Sequence, residues 1–270
     1  MPAALRRLAR LPLLLALAFA GLAIQLLVFP LADVSRRRAI VRLWSRALLA
    51  ICGLRLRVHQ DGGVRDARSL LDTGPMVVAN HVSWLDIFVI DSVATCAFVA
   101  KSEVRRWPLA GWLAAMAGTV FIERARRHAV HKVIERLRQR LRERFPVAVF
   151  PEATTSTGSS LRPFHGNLLE AAIAEAVPVV PMALRYRDER GQLSEAAAYV
   201  DDMTFIESLW LVTGMPYIVA EVHVLAPVPA TGRNRHQLAR ELRALISGRL
   251  ELPLEDSVPG TVAAFRAASH

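Results

Sequence analysis

The chain has 270 residues, a formal net charge of +10, a 53% hydrophobic share and a mean hydropathy of +0.30. That length allows one large domain, or one domain and an anchor, and the apolar excess points toward contact with a membrane. Cys52 and Cys96 stand alone, without ligand spacing or a paired framework, which argues against a zinc site or a disulfide scaffold.

Residues 11–32 form an apolar run long enough for a membrane helix. Arg6, Arg7 and Arg10 precede it, and Arg36, Arg37, Arg38, Arg42 and Arg46 follow. A signal peptide would carry a shorter apolar core ending in a small-residue cleavage site. Positive charge on both flanks fits a full span poorly, because the positive-inside rule depletes one side. Residues 39–54 place Ile40, Val41, Leu43, Trp44, Ala47, Leu48 and Ile51 between arginines, the pattern of an amphipathic interfacial helix. The expectation is a membrane-anchoring helical hairpin over residues 1–54. It would lie in the cytoplasmic leaflet and bend near Pro30, with a single full span as the alternative.

From residue 54 onward strand-like and helix-like stretches alternate. Strands are expected at 54–59, 76–80, 96–101, 119–122, 147–150, 179–184 and 218–225. A helix is expected over 125–144, with Val130, Val133, Ile134, Leu137 and Leu141 on one stripe. This order predicts an α/β fold over residues 55–250: a mixed, largely parallel sheet sandwiched by helices. Residues 251–270 lack sustained periodicity and are expected to be a frayed tail. The arginines facing away from the 125–144 stripe read as a solvated surface, since no interleaved aromatics or nucleic-acid motif accompany them.

The second expected strand, Met76-Val77-Val78-Ala79, runs into Asn80-His81-Val82-Ser83-Trp84-Leu85-Asp86. Ser83 followed three residues later by Asp86 is a helix-start signature, with Ser83 as N-cap and Asp86 at N3. His81 then lies on the loop leaving the strand and Asp86 on the first helical turn. In open α/β sheets that carboxyl end is where ligands bind. The pattern brings a titratable imidazole beside a carboxylate able to orient it.

Three further segments join this one in a family pattern. Asn80–Phe88 resembles the first block of the glycerolipid acyltransferases that acylate lysophosphatidic acid and related lysolipids. Gly118-Thr119-Val120-Phe121-Ile122-Glu123-Arg124 resembles their second block, and Val149-Phe150-Pro151-Glu152-Ala153-Thr154-Thr155-Ser156 the third, usually F-P-E-G-T-R-S. Val177-Pro178-Val179-Val180-Pro181 is similar to the fourth. Two positions depart. Ala153 replaces the family's glycine, so the loop cannot use positive φ freely. Thr155 replaces an arginine that would hold acceptor phosphate by two bonds, as in relatives that finish ornithine lipids.

The resemblance implies transfer of a fatty acyl group from a thioester, acyl-CoA or acyl carrier protein, to the free hydroxyl of 1-acylglycerol-3-phosphate. His81 would be the general base oriented by Asp86, titrating near working pH. No G-x-S-x-G elbow is present, so direct attack without an acyl-enzyme is expected. Arg124, Lys101, Glu152, Thr154 and Thr155 are the expected acceptor-binding residues, with no metal and no cofactor beyond the thioester co-substrate. Expected partners are the membrane lysolipid, the acyl donor and an anionic membrane surface, with no nucleic acid; the expected location is the cytoplasmic face of the inner membrane. Residues 107–116 and 205–216, rich in Trp and Leu, are candidates for core, for an acyl-chain groove or for lipid contact. Two alternatives stay open: an acceptor without phosphate such as a lyso-ornithine lipid, and a noncatalytic lipid-binding membrane protein.

Overall fold

The computed structural model describes residues 2–64, 66–101, 111, 119–122 and 127–255. Helix α1 (Ala3–Leu27) and helix α2 (Val34–Ile51) open the chain, joined by a short 3-10 turn at Phe29–Leu31 that contains Pro30. Proline at the start of a turn fixes φ without forfeiting a helical hydrogen bond. Asp33 caps α2 by accepting the Arg36 N–H at 2.8 Å. The Trp44 indole donates to the Leu17 carbonyl at 3.0 Å, which ties the middle of α2 back onto α1. The expected hairpin is present.

Seven strands follow: β1 (Leu54–Gln60), β2 (Met76–Ala79), β3 (Ala97–Lys101), β4 (Val120–Ile122), β5 (Val147–Val149), β6 (Val179–Arg187) and β7 (Ile218–Val224). They form one sheet in the order β1-β7-β6-β2-β5-β3-β4. Strands β6, β2, β5, β3 and β4 run parallel, while β7 is antiparallel to β6 and parallel to β1. The sheet is thus mixed and largely parallel. Between the strands lie helices α3 (Ala67–Asp72), α4 (Leu85–Val93), α5 (Arg127–Arg142), α6 (Glu170–Ala174) and α7 (Phe205–Gly214), and α8 (Arg235–Leu250) follows β7.

Alternation along each strand divides the core into two layers, as the period of two requires. Val77, Ala79, Met182, Leu184 and Val222 face one way, against Leu48 and Leu49 of α2, Leu85 and Ile90 of α4, and Val212 of α7. Met76, Val78, Val147 and Ala183 face the other, against Val133, Leu137 and Leu141 of α5 and Leu238, Leu242 and Ile246 of α8. Coverage of both faces explains why β2, β5 and most of β6 read as continuous apolar runs. On the outside of α5, Arg138 pairs with Glu175 at 2.7 Å and Arg142 with Glu135 at 2.6 Å. Those arginines form the solvated face expected of them.

Candidate active site

His81 leaves the carboxyl end of β2, beside the carboxyl end of its parallel neighbour β5. Asn80 makes that exit possible. Its side chain accepts from the Leu184 N–H at 2.8 Å and donates to the Leu184 carbonyl at 2.9 Å, imitating one more residue of β2–β6 pairing. The main chain is thereby free to turn while the sheet edge stays satisfied.

The imidazole and the carboxylate meet. His81 Nδ1 lies 2.7 Å from Asp86 Oδ2, and the same oxygen accepts the Val82 and Ser83 N–H groups at 2.7 and 2.9 Å. Oδ1 accepts the Tyr186 hydroxyl at 2.6 Å. Asp86 has no exposed surface and its side chain faces four donors, so both buried oxygens are hydrogen-bonded. Burial, and then the Asp86 charge, push the Tyr186 phenol well above its ordinary value, so it serves as a donor. With Nδ1 engaged by a carboxylate, the neutral ring carries its proton there and leaves Nε2 as the basic nitrogen. The ring is 19% exposed, enough for an approaching hydroxyl.

The helix start differs from expectation. Helix α4 begins at Leu85 with Trp84 as its capping residue, and Ser83 does not act as the side-chain cap. Asp86 reaches back to the Ser83 N–H, but the buried Ser83 hydroxyl has no hydrogen-bond partner among the described residues. The carboxylate is drawn under residues 81–83, where it collects three donors instead of completing a reciprocal pair.

The segment after β5 grips the histidine from the other side. Glu152 Oε1 accepts the His81 N–H at 2.7 Å, and Oε2 accepts the Arg162 N–H at 3.0 Å. The His81 carbonyl accepts from the Ser156 N–H at 2.9 Å. The imidazole stacks on Phe150, with centroids 4.0 Å apart and planes 10° apart. Burial pushes the Glu152 carboxyl up to about 7, against its two backbone donors. Both oxygens hold main chain, and Glu152 braces His81 through its backbone N–H.

The other expected site residues fall differently. Thr155 donates its hydroxyl to the Tyr199 carbonyl and so is turned onto the neighbouring loop, whose Tyr199 N–H donates to the Val82 carbonyl at 3.0 Å. Thr154 is exposed. Lys101 is the last residue of β3, at the same sheet edge as His81, and its side chain lies outside what is described. Arg124 lies outside the described residues, two positions past the end of β4. Ala153 has φ of +61°, so the loop enters the left-handed region that an alanine reaches only at a cost. Its N–H donates to the Phe150 carbonyl at 3.1 Å, closing the tight turn that brings Glu152 under His81. Among the described residues no group of three His, Cys, Asp or Glu could hold a metal ion.

The Acyltransferase family model matches residues 55–185. The lyso-ornithine lipid O-acyltransferase of Pseudomonas aeruginosa is 35% identical over 219 residues, 80% of this chain and 81% of that protein. The 1-acyl-sn-glycerol-3-phosphate acyltransferase of Neisseria gonorrhoeae is 36% identical over 215 residues, covering 78% and 80%. In fold, the crystal structure of the 1-acyl-sn-glycerophosphate acyltransferase from Thermotoga maritima superposes with a TM-score of 0.63 at 23% identity, over 91% of this chain and 96% of that one.

Proposed function

The chain belongs to the Acyltransferase family, and on that premise we propose that His81 is the general base that passes a fatty acyl group to a lysolipid hydroxyl. The reading rests chiefly on the 2.7 Å contact between His81 Nδ1 and the fully buried Asp86 at the carboxyl edge of the sheet. Nε2 takes the proton as the hydroxyl oxygen attacks the thioester carbonyl. The carbon–sulfur bond then breaks, and the thiolate recovers a proton from the imidazolium that Asp86 stabilises. The donor is acyl-CoA or an acylated carrier protein, and no acyl-enzyme forms. Residues 1–54 hold the chain at the cytoplasmic face of the inner membrane, and residues 55–250 carry the chemistry.

The first reading of the acceptor is 1-acylglycerol-3-phosphate, its phosphate met by Arg124, the arginine that ends the second block. One observation favours a second reading. Thr155, where the family's arginine would stand, gives its hydroxyl to the Tyr199 carbonyl and brings no charge to the site. That suits an acceptor without phosphate, such as the lyso-ornithine lipid named for the Pseudomonas relative. Labelled acyl transfer by one purified sample to both acceptors separates the two. Transfer that requires acceptor phosphate selects the first; transfer to lyso-ornithine lipid alone selects the second; transfer to neither, with either donor, overturns the proposed function.

A further inference from the structure

The apolar surface of this chain is one-sided. Among the described residues 18 large hydrophobic side chains are exposed, and 14 of them lie on α1, α2, the turn joining them, and α7. Helix α7 is the member outside the hairpin, in the stretch 205–216 whose sequence left core, acyl-chain groove and lipid contact open. Its inner side is closed: Ser208, Val212 and Thr213 are 0% exposed. Its outer side presents Ile206, Trp210 and Leu211, at 76%, 51% and 40% exposure, on one helical face.

Both ends of α7 are anchored. At its carboxyl end Arg6 Nε donates to the Gly214 carbonyl at 2.8 Å, Arg7 Nε to the Trp210 carbonyl at 3.0 Å, and Arg10 Nη1 to the Thr213 and Met215 carbonyls at 3.0 and 2.6 Å. Three guanidinium groups from the start of α1 thus occupy the carbonyls that a helix end leaves unpaired and partly negative. The Arg7 guanidinium also lies over the Trp210 ring, 4.3 Å from its centroid. At the amino end, Phe205 packs edge-on against Trp84 at 5.1 Å, and the Trp84 indole donates to Ser208 Oγ at 3.0 Å. An aromatic row Trp44–Phe88–Trp84–Phe205 therefore joins α2 to α7 through the first turn of α4, which carries Asp86, and its capping residue Trp84.

We propose that the outer face of α7, formed by Ile206, Trp210 and Leu211, is a second contact with the lipid bilayer, beside the start of α1. The inference rests on the reading of the chain as a membrane-bound acyltransferase and adds to it a second point of insertion outside the hairpin. Two features choose a lipid surface over a protein partner. The face adjoins the start of α1, a helix long and apolar enough to cross a membrane, through the Arg7–Trp210 contact. It also sets a tryptophan beside arginines, the arrangement that places an aromatic ring at headgroup depth with cations snorkelling next to it. A hairpin alone would leave the chain free to tilt about α1. Contact through α7 fixes the plane of the bilayer beside Trp84, and so beside the dyad.

The test uses the full-length chain carrying Leu211→Cys, labelled with a bimane fluorophore; Cys52 and Cys96 are each 1% exposed and remain unlabelled. The labelled protein is added to phosphatidylethanolamine–phosphatidylglycerol vesicles containing a lipid with a nitroxide high on its acyl chain. Expected is emission lowered about twofold or more by the nitroxide lipid, together with protection from aqueous iodide. A label that iodide still quenches on vesicle-bound protein overturns the proposal, as does protein that stays in solution. Protection from both quenchers overturns it too, because that marks a covering protein surface such as a second copy of the chain. Acyl transfer by the same sample to a water-dispersed short-chain acceptor reports the parent reading separately. Its absence counts against acyl transfer, while the label still locates α7.

Discussion

Replacing Tyr186 with phenylalanine removes one hydroxyl from behind the dyad and leaves the ring volume in place. Tyr186 is 3% exposed, so the substitution opens no cavity that solvent can fill. It takes from Asp86 Oδ1 the 2.6 Å bond of a buried donor. A hydrogen bond to a charged group contributes about 1.5–3 kcal/mol, and Asp86, at 0% exposure, has no water with which to replace it. Unfolding of Tyr186→Phe by urea should therefore show a loss of about 1.5–3 kcal/mol. The second effect is on position. Without the Tyr186 hydroxyl, Asp86 Oδ1 loses its anchor and the imidazole that Asp86 orients is held less firmly, so kcat should fall about threefold to tenfold with KM little changed. A merely structural role would lower stability and leave the kcat of the folded variant in place. Unchanged stability together with an unchanged kcat would refute the reasoning.

Other perturbations follow from the same geometry. Ala153→Gly relieves a left-handed alanine, at φ of +61°, that costs about 1–2 kcal/mol, less the extra freedom glycine gives the unfolded chain. A rise in melting temperature of about 1–4 °C with unchanged turnover is expected; a fall would show the turn needs the methyl group. Glu152→Gln places an amide against one of two backbone N–H donors, so kcat should drop about tenfold with KM little changed, read by steady-state kinetics. Burial pushes Asp91 to about 8 and Glu152 to about 7. A carboxyl raised on folding contributes stability that is whole below its unfolded value, about 4, and lost as pH rises through the folded one. Urea midpoints should thus be higher at about pH 5 than at about pH 8.5, and Asp91→Asn, which keeps an acceptor for the Cys96 N–H, should flatten the upper part of that slope.

All seven strands lie where the pattern of residues places them, because six are short apolar or β-branched runs and β1 alternates apolar with polar residues. Strand β6 runs on to Arg187, past the expected end at 184, because its antiparallel partner keeps pairing to Arg187↔Val219. That is information no local window holds. The dyad was legible for the same reason the first block was: His81 and Asp86 are five residues apart and act through one turn. Their supports were not. Asn80 finds Leu184, Tyr186 finds Asp86 and Trp84 finds Ser208 across separations of 104, 100 and 124 residues. A tyrosine in a strand otherwise reads as core. Thr155 shows the converse, a hydroxyl whose position suggested a ligand and whose bond goes to the Tyr199 carbonyl.

The most direct measurement compares single-turnover acyl transfer by the wild-type chain and by His81→Asn, with the favoured acceptor in the same vesicles. Removing the imidazole's basic nitrogen should slow transfer by about 10²–10⁴ while acceptor binding stays within a few-fold. Transfer within tenfold of wild type would mean that the acceptor's proton leaves by another route, and that the His81–Asp86 contact does not drive the reaction.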